Sequence, residues 1–209
     1  MVVGAILQRC AEELKDRLAG LSPGEYHSRH GALVITKEYR QPAGIVWDES
    51  NCRGDAYATY AWGCIVAEID LDPDTYEIRA RRLTAVQDIG NAIHPVMAKG
   101  QVEGGSAQGV GYGLLEEVVM RNGGMANDRL ADYMIPTTLD MPKIEVVFLN
   151  RPYRHGPFGA KGLGELPIDG PAPAVINAIR HLGLDIRSIP ATPEKIMEAA
   201  CGSGLMEAK

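Results

Sequence analysis

The sequence of residues 97–117 is MAKGQVEGGSAQGVGYGLLEE, and this stretch decides the fold. It lacks proline and carries apolar residues at helical spacing, which predicts one long helix. It also contains six glycines, and each costs a helix about 1 kcal/mol relative to alanine. The helix must offset this cost by close packing, because glycine lets another backbone or a flat ligand come very near. We therefore expect a buried helix.

Two predicted strands precede this helix and form a hairpin. Residues 57–71 are rich in aromatic and β-branched residues and end at the turn sequence Asp72-Pro73-Asp74. Residues 76–88 then alternate polar with apolar positions, so one face of this strand is expected to be wet. The polar positions are Arg79, Arg81 and Thr84.

The rest of the chain predicts an α+β fold around this hairpin. The amino-terminal part predicts a helix over 2–18, a turn at Ser22-Pro23-Gly24, a strand over 31–39 and a long loop over 40–55. The carboxy-terminal part predicts extended stretches over 133–138 and 143–149, a helix over 172–182 and a last helix beginning at Thr192-Pro193. We expect a mixed sheet packed against the Gly-rich buried helix and the carboxy-terminal helices.

The domain organisation follows from the same pattern. We expect a connecting helix over residues 1–21 and a second portion over 22–209. Within that portion, 22–55 is a loop-rich lead-in and 202–209 is a frayed tail. The chain begins almost inside the first helix, which indicates that something upstream is missing or lies on another chain.

Composition and charge exclude several classes of function. The net charge of −6 argues against bulk nucleic-acid binding, which needs a basic face. No apolar run reaches the roughly 18 residues that a membrane span requires. The four cysteines show no CxxC spacing, so neither a zinc knuckle nor a dithiol motif is indicated, and reduced thiols in a cytoplasmic protein are expected. They are Cys10, Cys52, Cys64 and Cys201.

Two Gly-rich segments, 88–117 and 158–178, place a few polar side chains among glycines. The 24 glycines in 209 residues exceed the usual share of about 7%. A dinucleotide-binding fingerprint at 109–113 fails, because no strand precedes it and no acidic residue follows about 20 positions later. No phosphate loop, zinc-protease motif or calcium loop occurs either.

A series of short motifs occurs in a fixed order along the chain. They are Gly54-Asp55-Ala56-Tyr57, Asp88-Ile89-Gly90, Ile93-His94-Pro95, Gly100-Gln101-Val102-Glu103-Gly104, Gln108-Gly109, Leu115-Glu116-Glu117, Tyr133-Met134-Ile135-Pro136 and Lys161-Gly162-Leu163-Gly164-Glu165. The series resembles the C-terminal signatures of the xanthine dehydrogenase/aldehyde oxidase family of molybdenum hydroxylases, and of its molybdopterin-binding large subunit in particular. The resemblance covers most of the chain after about residue 50.

The resemblance implies roles for four residues. Glu165 occupies the position of the catalytic general base, which activates a water-derived oxygen; the alternative is a solvated loop glutamate. Gln101 matches the glutamine that contacts the pterin; the alternative is a helix-surface glutamine. Lys161 and Gly162 approach the cofactor by their backbone, although Lys161 is equally well a plain surface cation.

Other motif residues are expected to be structural. Glu103 pairs or caps within the protein, and His94 and Asp88 satisfy turns. Gly104, Gly105 and Gly109 are packing residues. No side chain is expected to bind metal directly. One departure is Glu165-Leu166-Pro167, where the family often has Glu-Pro-Pro, and it leaves the substrate class open.

The implied function is oxidative hydroxylation of an aldehyde or a purine-like N-heterocycle, with water as the oxygen source. The implied cofactor is molybdenum–molybdopterin, with the cytosine dinucleotide form left open, shared with the missing N-terminal portion of the subunit. FAD and 2Fe-2S clusters are expected only on partner chains. Two alternatives stay open: a non-catalytic structural or assembly fragment of the same fold, and an unrelated α+β module with a Gly-rich pocket.

Overall fold

The structure, a computed structural model, describes residues 1–203. The chain divides into two units, each assembled from separate segments. The first unit comprises Met1–Ala61, Ile89–Ile93 and Asn150–Gly162. The second comprises Trp62–Asp88, His94–Leu149 and the chain from Leu163 onwards. The predicted division into residues 1–21 and 22–209 stays a prediction.

The first unit begins with two helices. Helix α1 (Val2–Leu18) has the predicted bounds. Helix α2 (Pro23–His30) stands where the sequence predicted only a turn at Ser22-Pro23-Gly24. The reason is a capping box: the Glu25 amide donates to the Ser22 hydroxyl at 3.3 Å, and the Ser22 amide donates to the Glu25 carboxylate at 2.9 Å. These two bonds satisfy amides that the first turn of a helix leaves free.

The predicted strand over residues 31–39 is wrong. It pairs with no strand in the part of the chain that the structure describes, and Val34 is 83% exposed. Its apolar run therefore has no ladder partner, although Leu33 and Ile35 are half-buried. The loop that follows contains only a two-residue hairpin, β1 (Trp47–Asp48) and β2 (Arg53–Gly54).

The first unit closes with a tight backbone approach. Gly90 pairs with Ala160 in an isolated antiparallel bridge, beside a 3₁₀ turn at Pro157–Gly159. Gly90 has φ +69°, and a Cβ there would collide with the Gly159 carbonyl oxygen. Only glycine fits a position that is both left-handed and in contact with another backbone.

The second unit is a three-stranded sheet with helices on one face. Strands β3 (Trp62–Leu71) and β4 (Ile78–Asp88) form the predicted antiparallel hairpin, and α3 (Pro95–Leu114) is the predicted Gly-rich helix. The remaining elements are β5 (Met120–Arg121), β6 (Gly124–Met125), β7 (Lys143–Phe148), α4 (Leu166–Asp169), α5 (Pro171–His181) and α6 (Pro193–Ser203). Strand β7 pairs in parallel with β4, so the sheet order is β3-β4-β7 and the sheet is mixed.

The hairpin contains one bulge that the sequence did not reveal. Glu68 lies opposite Arg82 and Ile69 opposite Ala80, so Arg81 is an extra residue in β4. Arg81 and Arg82 are therefore both exposed, and the polar alternation changes phase at this point. Thr84, predicted to be wet, is half-buried. The predicted extended stretch over residues 133–138 contains no strand.

The core of the second unit lies between the sheet and α3, α5 and α6. Its buried members are Ile78, Ala80, Leu83, Val110, Leu114, Val175, Ile179, Leu184, Ile186, Ala191, Ile196 and Ala200. The predicted α+β class with a mixed sheet is thereby confirmed. The predicted burial of α3 is confirmed for one face and its second half, whereas Met97 in its first turns is 70% exposed.

Two observations concern the whole described chain. Over residues 1–203, none of the helices is both long and apolar enough to span a membrane. The predicted frayed tail began at Gly202, but α6 includes Gly202 and Ser203. The rest of that predicted tail, 204–209, lies outside the described residues.

Candidate cofactor-binding site

Helix α3 packs through glycines on one face. A Cβ at Gly105 would lie 2.8 Å from the Pro167 side chain, and one at Gly109 would lie 2.8 Å from the Ile168 carbonyl oxygen. A Cβ at Gly113 would meet Ala172 at 3.3 Å. These glycines recur every four residues and so share one face of the helix. They let α4 and α5 approach the α3 backbone, which confirms the predicted packing role of Gly105 and Gly109.

A second set of glycines leaves bare surface. A Cβ at Gly100, Gly104 or Gly164 would meet nothing within 4 Å. The prediction that Gly104 packs is therefore wrong, because α4 and α5 pack along the line of Gly105, Gly109 and Gly113, and Gly104 lies outside that line. Gly100 precedes Gln101, and Gly104 lies three residues beyond it on the same face. Gly100 and Gly104 thus leave two positions beside Gln101 without side-chain atoms.

Gln101 joins this surface to the second Gly-rich segment. Its Nε2 donates a 2.8 Å hydrogen bond to the carbonyl oxygen of Gly164. Because that contact requires the amide nitrogen, Oε1 points elsewhere and accepts no hydrogen bond from the described residues. Glu165 follows Gly164 directly, so the structure brings the predicted pterin ligand and the predicted base into one neighbourhood.

Glu165 occupies the N-cap position of α4. Its backbone is fixed, because its carbonyl oxygen accepts from the Ile168 amide at 3.0 Å. Its side chain makes no capping bond and is exposed. The resemblance implies a buried or cleft-lining carboxylate at this position, whereas in this chain alone Glu165 is open to solvent. Among residues 1–203 no partner binds the carboxylate, so both oxygens can accept a proton or a hydrogen bond.

The other two predicted cofactor residues belong to the first unit. The Lys161 amide donates to the Ile89 carbonyl oxygen at 2.8 Å, so this amide is used within the fold. Gly162 is exposed, and a Cβ there would meet nothing within 4 Å. The proposed backbone contact therefore suits Gly162 better than the amide of Lys161.

The motif residues predicted to be structural behave as such. Glu103 lies 3.5 Å from the Lys99 ammonium, and the His94 Nδ1 accepts from the Met97 amide at 3.2 Å as the N-cap of α3. Asp88 ends β4 and is 7% exposed.

One polar pair was missed from the sequence. The Tyr133 hydroxyl donates to the Glu116 carboxylate at 2.8 Å, and this hydrogen bond raises the pKa of Tyr133 above its usual value. The bond ties the loop after β6 to the end of α3. Both residues stand in the quoted motifs, but nothing in their spacing indicates that they meet.

The donor set fits a flat organic cofactor better than a bare metal ion. No group of three or more metal-binding side chains occurs in the described part of the chain. What the second unit offers instead is a free amide oxygen at Gln101, a free carboxylate at Glu165 and open helix surface at Gly100 and Gly104. A pterin has ring-edge donors for the amide and a flat face for the bare surface, so the metal would be held through the pterin.

Known proteins resemble this chain over most of its length. Residues 2–142 match the family model described as molybdopterin cofactor-binding domain. The xanthine dehydrogenase molybdenum-binding subunit of Escherichia coli O157:H7 is 34% identical over 149 residues, which are 70% of this chain and 20% of that protein. Aldehyde oxidoreductase from Megalodesulfovibrio gigas is 35% identical over 169 residues, which are 79% of this chain and 18% of that protein.

A solved structure of an oxidoreductase is also similar to this chain. Quinoline 2-oxidoreductase from Pseudomonas putida 86 matches with a TM-score of 0.62 at 38% identity, over 66% of this chain and 18% of that chain. The chain therefore spans about a fifth of the length of the relatives it matches. The matched family model ends at residue 142, before Glu165.

Proposed function

We propose that this chain, which belongs to the molybdopterin cofactor-binding family of xanthine dehydrogenase and aldehyde oxidoreductase molybdenum-binding subunits, forms the C-terminal part of such a subunit. The subunit would be that of a molybdenum hydroxylase. The observation that carries the proposal is the hydrogen bond from Gln101 to the residue before Glu165. It supports the proposal because it joins Gln101, whose amide oxygen is free, to the residue before Glu165, next to the open helix positions Gly100 and Gly104.

Gln101 and the open glycines would hold the pterin. The hydrogen bond to Gly164 fixes the Gln101 side chain, so Oε1 is held in place to accept from a ring-edge donor. Gly100 and Gly104 let a flat ring lie close to the helix. Gly162 would add a backbone contact, and Lys161 a further one or only a surface charge. When bound, the molybdenum–molybdopterin group supplies the two-electron oxidation chemistry.

Glu165 would act as the general base. A base must lie within hydrogen-bond reach of the proton that it removes, and it must not already be engaged. The backbone of Glu165 is held by the hydrogen bond from the Ile168 amide, and its carboxylate has no partner among residues 1–203. One oxygen of its carboxylate would take a proton from the water-derived nucleophile. The oxygen of that nucleophile, and not the carboxylate, would attack the substrate carbon.

We assign the substrate to the aldehydes or the purine-like N-heterocycles. Both classes present an electrophilic carbon, and both occur among the names of the matched relatives, as aldehyde and xanthine. The partners would be the N-terminal portion of the subunit and chains carrying 2Fe-2S clusters and FAD. We place the complex in the cytoplasm, in keeping with four free cysteines. Its cofactor is the plain pterin or the cytosine dinucleotide form.

The test is a pair of matched substitutions in the assembled complex. Glu165→Gln keeps the shape of the side chain and removes the base, so turnover of aldehydes and N-heterocycles should fall about 10²–10⁴-fold while molybdenum content stays unchanged. Asp169→Asn removes an equally exposed carboxylate one turn later in α4 and should keep full activity. Gln101→Leu should lower the pterin content.

Two results would refute the catalytic assignment. One is full turnover by the Glu165→Gln complex, which would leave the base elsewhere. The other is an assembled complex that contains no molybdenum and no pterin. That second result would support the alternative, a structural or assembly fragment of the same fold.

A further inference from the structure

The sheet of the second unit has a face that its own helices do not cover. Side chains alternate along each strand, so Ile65, Leu83 and Ile144 point into the core. The alternate positions point the other way and form what we call the outer face. They are Cys64, Val66 and Glu68 in β3, Arg82, Thr84 and Val86 in β4, and Lys143, Glu145 and Val147 in β7.

The register divides the outer face into an apolar end and a charged end. At the apolar end, Cys64 lies opposite Val86, and Val86 lies opposite Val147. Val66 lies in the next row and is 56% exposed, Val147 is 46% exposed, and Cys64 is exposed. Leu149 continues the line of Val147 and is 41% exposed. These five residues define the apolar end.

The charged side chains at the charged end pair with one another. Arg82 donates to Glu68 at 2.8 Å, and Lys143 donates to Glu145 at 2.8 Å. Paired ions of this kind are stable in water and need no covering layer. The apolar end has no such means, because an apolar sheet surface is stabilised only when another layer buries it. The outer face is therefore asymmetric, with one end suited to solvent and the other to a partner.

The apolar end and Gln101 lie at the same end of the sheet but on opposite faces of it. Val110 and Leu114, from the second half of α3, line the same cavity as Ile78 and Ala80 in the first half of β4. Helix α3 begins soon after β4 ends and runs back along it, so its first half, with Gln101, lies toward the end of β4 where Val86 stands. A partner on the apolar end would therefore bind at the Gln101 end of the sheet, on the face that α3 does not cover.

We propose that the apolar end docks the remaining part of the molybdopterin-binding subunit, whether on the same polypeptide or on a separate one. The inference rests on the proposed function. The matched relatives are about five times longer than the matched segment, so most of their fold lies outside this chain. A second copy of this chain would only supply Gln101 and Glu165 again. It would add none of the further contacts that a complete cofactor site needs.

Cys64 reports directly on this surface. Cys64 is exposed on the edge strand β3 of the apolar end, and Cys201, on α6 in the helical layer, is an exposed control. Iodoacetamide labelling is followed by mass spectrometry on the chain alone and on the native complex with the rest of the subunit. The labelling rate of Cys64 should be about tenfold lower, or lower still, in the complex than in the chain alone. The labelling rate of Cys201 should be the same in the chain alone and in the complex.

Charge placed on the apolar end should block assembly. Val66→Glu and Val147→Glu each put a carboxylate where the partner would bury it, so the copurified partner should fall about tenfold or more. Leu182→Glu, at a 45% exposed position after α5, is the matched control and should copurify normally. All three positions are open in this chain, so circular dichroism of each variant should match the parent.

The outcomes separate docking from catalysis. The Glu165→Gln complex retains the apolar end and should protect Cys64 as the parent does, even without turnover. Equal Cys64 labelling in chain and complex would overturn the docking proposal. So would concentration-dependent protection of Cys64 in the chain alone, which would assign the surface to a second copy.

Discussion

The same substitution at two glycines of α3 should change stability in opposite directions. Gly109→Ala places a methyl group against α4 and α5, whereas Gly104→Ala places it in open space. Both glycines lie inside the helix, so the gain in helix propensity is the same. Any difference between the two variants therefore measures packing alone.

The magnitudes follow from the contacts. Alanine is favoured over glycine in a helix interior by about 1 kcal/mol, and at Gly104 nothing opposes this gain. At Gly109 the new carbon would lie 2.8 Å from the Ile168 carbonyl oxygen and 2.9 Å from two carbons of Pro171. Backbone and a proline ring cannot rotate away, so the overpacking cost lies near about 3 kcal/mol, the upper end of its usual range. The expected net loss is about 2 kcal/mol.

Urea unfolding of the 209-residue chain, followed by circular dichroism, measures both variants against the parent. We expect the free energy of unfolding to rise by up to about 1 kcal/mol for Gly104→Ala and to fall by about 2 kcal/mol for Gly109→Ala. A Gly109→Ala chain as stable as the parent would refute the close approach of α4 and α5.

Three further predictions concern local interactions. Hydrogen bonds from Ser50 and Asn51 lower the pKa of Asp48 from 3.8 to about 2. This carboxylate therefore stabilises its turn fully above about pH 3.8 and stops doing so as the pH falls through 2. An NMR titration midpoint of Asp48 at or above 3.8 would contradict this. The raised pKa of Tyr133 means that its bond to Glu116 is intact below pH 10.0 and is lost as the pH rises through the folded value; Glu116→Gln should move the tyrosinate difference spectrum, taken against Tyr133→Phe, back toward 10.0, and an unmoved spectrum would argue against the bond. Ser22→Ala removes the capping box and should destabilise α2 by about 1 kcal/mol; hydrogen exchange of the α2 amides should quicken, and unchanged exchange would count against the cap.

Local signals predicted much of the second unit. The turn at Asp72-Pro73-Asp74 joins β3 to β4 as expected, and α5 and α6 begin at prolines that suit the first helical turn. These features are decided by residues close together in the chain, so the sequence contains the needed information. The capping box at Ser22 was equally local and could have been found from Ser and Glu three residues apart.

Contacts between distant residues could not be predicted in the same way. The apolar run over residues 31–39 has the composition of a strand but no strand to pair with. The residues of the run do not determine whether a partner strand lies beside it. Gly104 and Gly105 are neighbours with the same composition around them, yet one is bare and the other packs on Pro167. Only the position of α4, far along the chain, separates the two roles.

The packing glycines and the candidate site are physically coupled. Helix α4 is seated against α3 by Gly105 and Gly109, and Glu165 is the residue at which α4 begins. Gln101, one turn before Gly105 on α3, holds Gly164, the residue just before Glu165. The distance between Gln101 and the backbone of Glu165 is therefore set by how closely α3 and α4 approach. A methyl group at Gly105 would push on Pro167 and so displace the start of α4, which makes the glycine content of α3 a requirement of the site as much as of the core.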